Sequence, residues 1–114
     1  MATFTGGVLA NANGTGSNLA LFTVAANMVA SGALTICNTN ATAAAFSITI
    51  THSGVTTNIR SGETLAPAGQ AGDWQDFRAL LLSAGDILTV NGPAGVHFTL
   101  VGHNNPASFT ALDS

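Results

Sequence analysis

Ala45-Phe46-Ser47-Ile48-Thr49-Ile50-Thr51-His52 is the stretch that decides the fold. Phe46, Ile48, Ile50 and His52 fall on one side of an extended chain, and Ser47, Thr49 and Thr51 on the other, because successive side chains of a strand point to opposite faces. Alternation of this kind with β-branched residues predicts a half-buried strand. Ser53-Gly54 follows, a pair suited to a tight two-residue hairpin turn, so Val55 to Arg60 is expected to return antiparallel.

Reading outward from this hairpin, the same grammar repeats. Towards the C-terminus, Ser61-Gly62-Glu63 reads as a corner and Thr64-Leu65-Ala66 as a short edge piece ended by Pro67; residues 67 to 73 read as a Gly/Ala/Pro loop. Asp76 to Leu82 has the propensity for two turns of helix but the length of a buried strand. Strand is favoured, because Ser83-Ala84-Gly85-Asp86 is a turn and Ile87 to Asn91 is plainly extended. Val96 to Val101 closes the domain. Towards the N-terminus, Gly32 to Cys37 is a strand closed by Asn38-Thr39-Asn40, and Leu19 to Val24 is another.

Residues 1–17 read as an extended arm anchored by Phe4, Val8 and Leu9. Residues 18–102 form the domain, and residues 103–114 a polar tail anchored by Phe109. About eight short strands with glycine turns and no sustained helical period predict an all-β fold: an antiparallel β-sandwich, jelly-roll-like or immunoglobulin-like.

Charge is the second informative feature. The 114 residues include five acidic side chains and two arginines, with no lysine, for a net charge of −3. An average domain has about a quarter of its residues charged, against 6% here. A free protein keeps itself soluble with mixed charges, whereas one tiled against neighbours needs fewer. Lysine also guards sheet edges, so edges here are expected to be short or covered by neighbours. Two cations cannot supply the phosphate neutralisation that nucleic-acid binding requires. No run reaches the roughly 18 apolar residues of a membrane helix, and Met1 to Thr5 lacks the basic start of a Sec signal, so neither a membrane nor secretion is expected.

Three segments carry a family resemblance: Leu21-Phe22-Thr23-Val24; Leu34-Thr35-Ile36-Cys37-Asn38-Thr39-Asn40; and Leu82-Ser83-Ala84-Gly85-Asp86-Ile87-Leu88-Thr89-Val90, with the final strand running into Gly102. Over residues 18 to 102 the chain resembles small β-sandwich structural proteins of tailed-bacteriophage virions. The "TVPAG" step of that group stands here as Thr23-Val24-Ala25-Ala26-Asn27, without the proline. The resemblance implies a virion component; the single cysteine and the lack of a Sec start add the expectation that it is made in the host cytoplasm. Its leading form is a capsid decoration (cement) protein that bridges major capsid subunits and contacts copies of itself as a homotrimer. A tail, fibre-base or head–tail module is the alternative, and a carbohydrate-binding module the second.

Chemistry is sparse. Gly72-Asp73 and Gly85-Asp86 read as turns, with glycine at positive φ and the carboxylate accepting backbone N–H groups. Asp73 and Asp76 fall short of the six to eight oxygens calcium prefers. His52, His97 and His103 form no zinc set, and Gly102 is expected to break the strand that would put His97 and His103 on one face. Cys37, the single cysteine, reads as a small buried hydrophobe. No catalytic residue, cofactor or metal is assigned. The candidate interface residues are Phe4, Val8, Leu9, Trp74, Arg60, Arg78 and Phe109, with each arginine expected to pair with Glu63, Asp73, Asp76 or Asp86. Removing residues 1–12 is expected to leave a folded domain that no longer docks.

Overall fold

The structure, a computed structural model, describes residues 5–106. Eight strands follow in order: β1 (Thr5–Asn13), β2 (Leu19–Thr23), β3 (Met28–Asn38), β4 (Ala44–His52), β5 (Val55–Leu65), β6 (Trp74–Leu82), β7 (Ile87–Asn91) and β8 (Val96–Pro106). They form two four-stranded antiparallel sheets, β1-β8-β3-β6 (sheet A) and β2-β7-β4-β5 (sheet B). The pairs β1/β8, β2/β7, β3/β6 and β4/β5 are nested, as if one long hairpin with its tip at Ser53-Gly54 had been rolled across two layers. That order is the jelly roll, and it separates the two sandwich types the sequence leaves open.

The hairpin that organises the roll forms as its residues dictate. Ser53 and Gly54 both take positive φ, 50° and 80°, which gives the strands the twist they need. Asp76 to Leu82 lies in strand β6, as the turn after it implies. At the β2–β3 connection, Asn27 adopts φ 65° and the Met28 N–H donates to the Ala25 carbonyl at 3.2 Å. Asparagine is one of the few residues that tolerates this region, so the turn survives without the Pro and Gly of the related motif.

The core is the inner lining of both sheets. Leu34, Ile36, Val96, Phe98 and Leu100 from sheet A meet Phe46, Ile48, Leu65, Leu88 and Val90 from sheet B, all essentially fully buried. Each contributes about 1.5–3 kcal/mol of hydrophobic stabilisation. Of the two polar side chains buried among the described residues, Asn38 and Asp86, the first joins this lining. Asn38 Nδ2 donates to the Thr42 and Ala66 carbonyls at 2.9 and 3.0 Å, and its Oδ1 accepts the Asn40 N–H at 2.9 Å. A buried amide with these partners ties the β3–β4 loop to the end of β5.

Three expectations change. Thr5–Asn13, read as part of an arm, is strand β1, paired with β8 from Thr5↔Asn104 to Asn13↔His97. Leu9 and Ala10 pack on the core, so this segment has burial of its own. Gly102 does not end the last strand: β8 pairs with β3 without a register break from Met28↔Pro106 to Asn38↔Val96, and reaches past the predicted domain end at 102. Edge protection follows a different route from the one lysine's absence suggests. The edges are β1 and β6 in sheet A and β2 and β5 in sheet B, and each carries at least one β-bulge: Leu9, Arg78/Ala79, Leu21, and two in β5. The inner pairings β3/β8 and β4/β7 carry none. A bulge twists an edge and breaks the regular ladder a second sheet would need.

Candidate functional site

Register fixes what stands on the outer face of sheet A. Four rows cross it, each read β1, β8, β3, β6. They are Asn13–His97–Cys37–Trp74; Asn11–Thr99–Thr35–Asp76; Val8–Val101–Ala33, ending at the Arg78/Ala79 bulge; and Gly6–His103–Ser31–Leu81. Among the described residues the exposed large apolar side chains are Val8, Val55, Trp74, Leu81 and Val101. Four of these five stand on this face; Val55 lies beside the β4–β5 hairpin. The outer face of sheet B is instead a field of short polar groups, including Ser47, Thr49, Thr51, Thr56, Asn58, Thr89 and Asn91. Thr51 and Thr56 hydroxyls meet at 2.9 Å there, and Asn91 donates to Asn18 at 2.8 Å.

The residues singled out in the sequence divide accordingly. Val8 and Trp74 belong to the sheet A face, 61% and 56% exposed. Leu9 occupies the β1 bulge and packs inward. Phe4 and Phe109 lie outside the described residues. Arg78 Nε donates to Asp76 Oδ2 at 2.8 Å, one of the pairings expected, and that bond and charge push the guanidinium above its ordinary pKa. So exposed a pair adds little stability. Arg60 takes another role from the one expected. Its guanidinium lies over the Phe77 ring, 4.9 Å from the centroid, and it donates to the Ile59 carbonyl at 2.8 Å. Phe77 in turn meets Phe46 edge-on at 6.2 Å, so Arg60 of β5 and Phe77 of β6 close one open side of the sandwich.

Two further expectations change. Cys37 is only half-buried and faces outward beside His97 and Trp74, because Ile36 and Asn38 take the inward positions around it. His97 and His103 do share one face of unbroken β8, but six residues of strand hold them ~20 Å apart, too far to share an ion. Leu81 and Val101 were missed. Val101 is legible from the alternation of Val96, Phe98 and Leu100; Leu81 is not, because the β6 bulge resets the phase of Leu80-Leu81-Leu82.

Both Gly-Asp turns form as predicted. Asp73 Oδ2 accepts the Gly69 N–H at 2.9 Å. Asp86 Oδ2 accepts the Ser83 N–H at 2.8 Å, and Gly85 adopts φ 84°. His52, on the strand beside that turn, brings its Nδ1 to 2.5 Å from Asp86 Oδ1. Burial alone would raise the Asp86 carboxyl; the His52 and Ser83 hydrogen bonds and the His52 charge outweigh it, and the carboxyl sits below its ordinary value. A depressed carboxylate stabilises the fold above the unfolded-state pKa of about 4 and ceases to as pH falls through its own lower value. Asp86→Asn is therefore expected to cost about 1–2 kcal/mol at pH 7, with the difference from wild type shrinking below pH ~4. Urea melts of both chains from pH 7 to pH 3 check this; a difference that stays constant across the range overturns it.

The class these features define is a jelly-roll sandwich with a polar face on one sheet and a part-apolar face on the other. No protein-family model matches the chain, and no curated protein does. Among solved structures, it is similar to a chain of the acidic stable capsid of Helicobacter pylori bacteriophage KHP30. That likeness has a TM-score of 0.54 at 12% identity and covers 95% of each chain. A pentameric capsid protein isolated from metagenomic phage sequences aligns over 84% of this chain and 59% of its own, with a TM-score of 0.37 and 18% identity. At these identities the first likeness speaks to the fold, and the second is too loose to argue from.

Proposed function

We infer that the chain is a non-enzymatic structural protein of a phage virion, and that it works as a capsid decoration (cement) protein. The observation that carries this is the gathering of Val8, Val101 and Leu81 on one sheet face of a chain almost without charge. Exposed apolar side chains collected on one face mark a surface that meets another protein. With Ala33, Val8 and Val101 make a stripe across three strands, and Leu81 extends it at the β6 edge. The Asp76–Arg78 pair neutralises itself, so this face can approach a neighbour without burying a lone charge. Fold alone does not assign function; the likeness to a phage capsid chain supports the reading without carrying it.

In this reading the sheet A face docks on major capsid subunits and on copies of the same chain, a homotrimer being the preferred state, with Arg60 at its rim. Many identical weak contacts then reinforce the shell. The double variant Val8→Asp/Leu81→Asp tests it, since both side chains are exposed and carry little of the fold. It is expected to fold normally and to enter particles at least about tenfold less than wild type, an effect of ~1.4 kcal/mol or more for the two substitutions together. The sheet B control Thr89→Asp is expected to enter at wild-type level. Equal incorporation of the double variant and wild type overturns the docking face. A copy number of a few per particle, rather than hundreds, moves the chain to the tail or neck.

A further inference from the structure

One end of the sheet A face is chemically unlike the rest. Next to the row Asn13–His97–Cys37–Trp74 lies a shallow depression of about 280 Å³, lined by Asn11, Asn13, His97 and Thr99 with the backbone of Ala12 and Phe98 between them. Asn13 Oδ1 accepts the Gly95 N–H at 2.8 Å, which fixes that amide and leaves its NH₂ free to donate outward. Asn11 and His97 are exposed. Four residues of β3 separate this row from the Val8–Val101–Ala33 stripe, a distance of ~13 Å, so an occupant of the row leaves the stripe uncovered.

We propose that this row is a binding site for a neutral oligosaccharide. A sugar ring offers two surfaces: a patch of C–H groups and a rim of hydroxyls. Trp74 supplies the exposed flat ring on which the first can stack. Asn11, Asn13, His97 and Thr99 supply the mixed donors and acceptors the second requires. Two strand spacings, ~10 Å, separate Trp74 from His97, so one sugar cannot reach both and the ligand is a chain of at least two. The depression has no charged lining, and the arginine on this face, Arg78, is already held by Asp76. A phosphate or sulfate would find no free cation there, which restricts the class to uncharged glycans. A tryptophan serving only as an interface anchor belongs in an apolar centre; this one stands in a row of amide, imidazole and thiol groups.

Trp74 is the only tryptophan, so its emission reports this site alone. The full chain is titrated with maltotetraose, cellotetraose and chitotetraose, and with a sulfated heparin tetrasaccharide for comparison. At least one neutral probe is expected to shift the emission, with a dissociation constant on the order of 1 mM or tighter. By calorimetry the same probe is expected to lose binding in Trp74→Ala and to bind at least about tenfold more weakly to Asn11→Ala, while Asn58→Ala on sheet B binds as wild type. The Val8→Asp/Leu81→Asp chain is expected to bind it unchanged, so this site and the docking face fail independently. Silence of all three neutral probes at about 10 mM, binding that survives Trp74→Ala, or a response to the sulfated probe alone each overturns the proposal.

Discussion

Gly102→Ala is expected to destabilise the protein by about 3 kcal/mol or more, although it adds a single methyl group. Gly102 of β8 lies directly opposite Gly32 of β3, and Gly7 of β1 faces it from the other side. A Cβ on Gly102 would come within 2.6 Å of Gly32 Cα and closer still to the Ser31 carbonyl oxygen; one on Gly32 would meet Gly102 Cα at 2.9 Å. The obstacle is backbone rather than the mobile end of a side chain, so relief requires the central strands of sheet A to separate. That places the cost at the top of the range for overpacking. Neither residue has a positive φ, so space alone forbids the side chain. Gly54→Ala provides the contrast. Gly54 has φ 80° with nothing within 4 Å, and its replacement should cost only the torsional ~1–2 kcal/mol. For a domain of this size the difference is a fall in Tm of about 12–20 °C for Gly102→Ala against less than about 10 °C for Gly54→Ala. If the two variants melt together, the close approach of β3 and β8 is not rigid.

That glycine pair shows where a single sequence stops being legible. Alternation is a local signal, and it gave the central strands correctly: Phe46 and Ile48 inward, Ser47 and Thr49 outward, with the Ser53-Gly54 turn between β4 and β5. The same alternation runs through β8, where Val96, Phe98 and Leu100 are core. Bulges defeat it, because each one resets the phase without leaving a mark in composition. The β6 bulge places Ala79 at φ 60°, a conformation no reading of Arg78-Ala79-Leu80 would assign to alanine, and so hides the exposure of Leu81. Gly102 looks like a terminator when only its own strand is considered. It is a continuation once Gly32 is known to lie against it. The candidate site was legible only in part for the same reason: Trp74 and Val8 could be named singly, but the rows that join them to His97 and Val101 exist only in the register.

The poverty of charge takes on a more specific meaning in this light. It does not require neighbours to cover the sheet edges, since all four edge strands are bulged. What it does is leave the two outer faces to be distinguished by apolar content alone. Sheet B presents hydroxyls and amides that water satisfies well; sheet A presents valine, leucine and tryptophan that water does not. Orientation on a partner would therefore be set by hydrophobic contrast between faces, with weak dependence on salt, because there are few exposed charges to screen.

Deletion of residues 1–12 is expected to unfold or severely weaken the domain, contrary to what an arm would allow. Seven of the eight register pairs between β1 and β8 would go, leaving only Asn13↔His97. The packing of Leu9 and Ala10 on the core would go with them. One leucine of buried area is worth about 1.5–3 kcal/mol, and each ladder hydrogen bond a further ~0.5–1.5 kcal/mol before the ordering entropy of the segment is subtracted. A net loss of at least about 3 kcal/mol follows, a large part of the 5–15 kcal/mol that holds a typical domain together. The loss also has a second consequence. β8 would become an edge of eleven residues that carries no bulge along its length with β3, and no lysine guards it. Such an edge is a template for pairing with another chain, so the truncated protein should sediment as oligomers or aggregates whatever its partner. Thermal melts and sedimentation velocity of the deleted and full chains decide the matter. A truncated chain that stays monomeric and melts within about 5 °C of the full one would make β1 an arm after all, since a lost strand costs several times that.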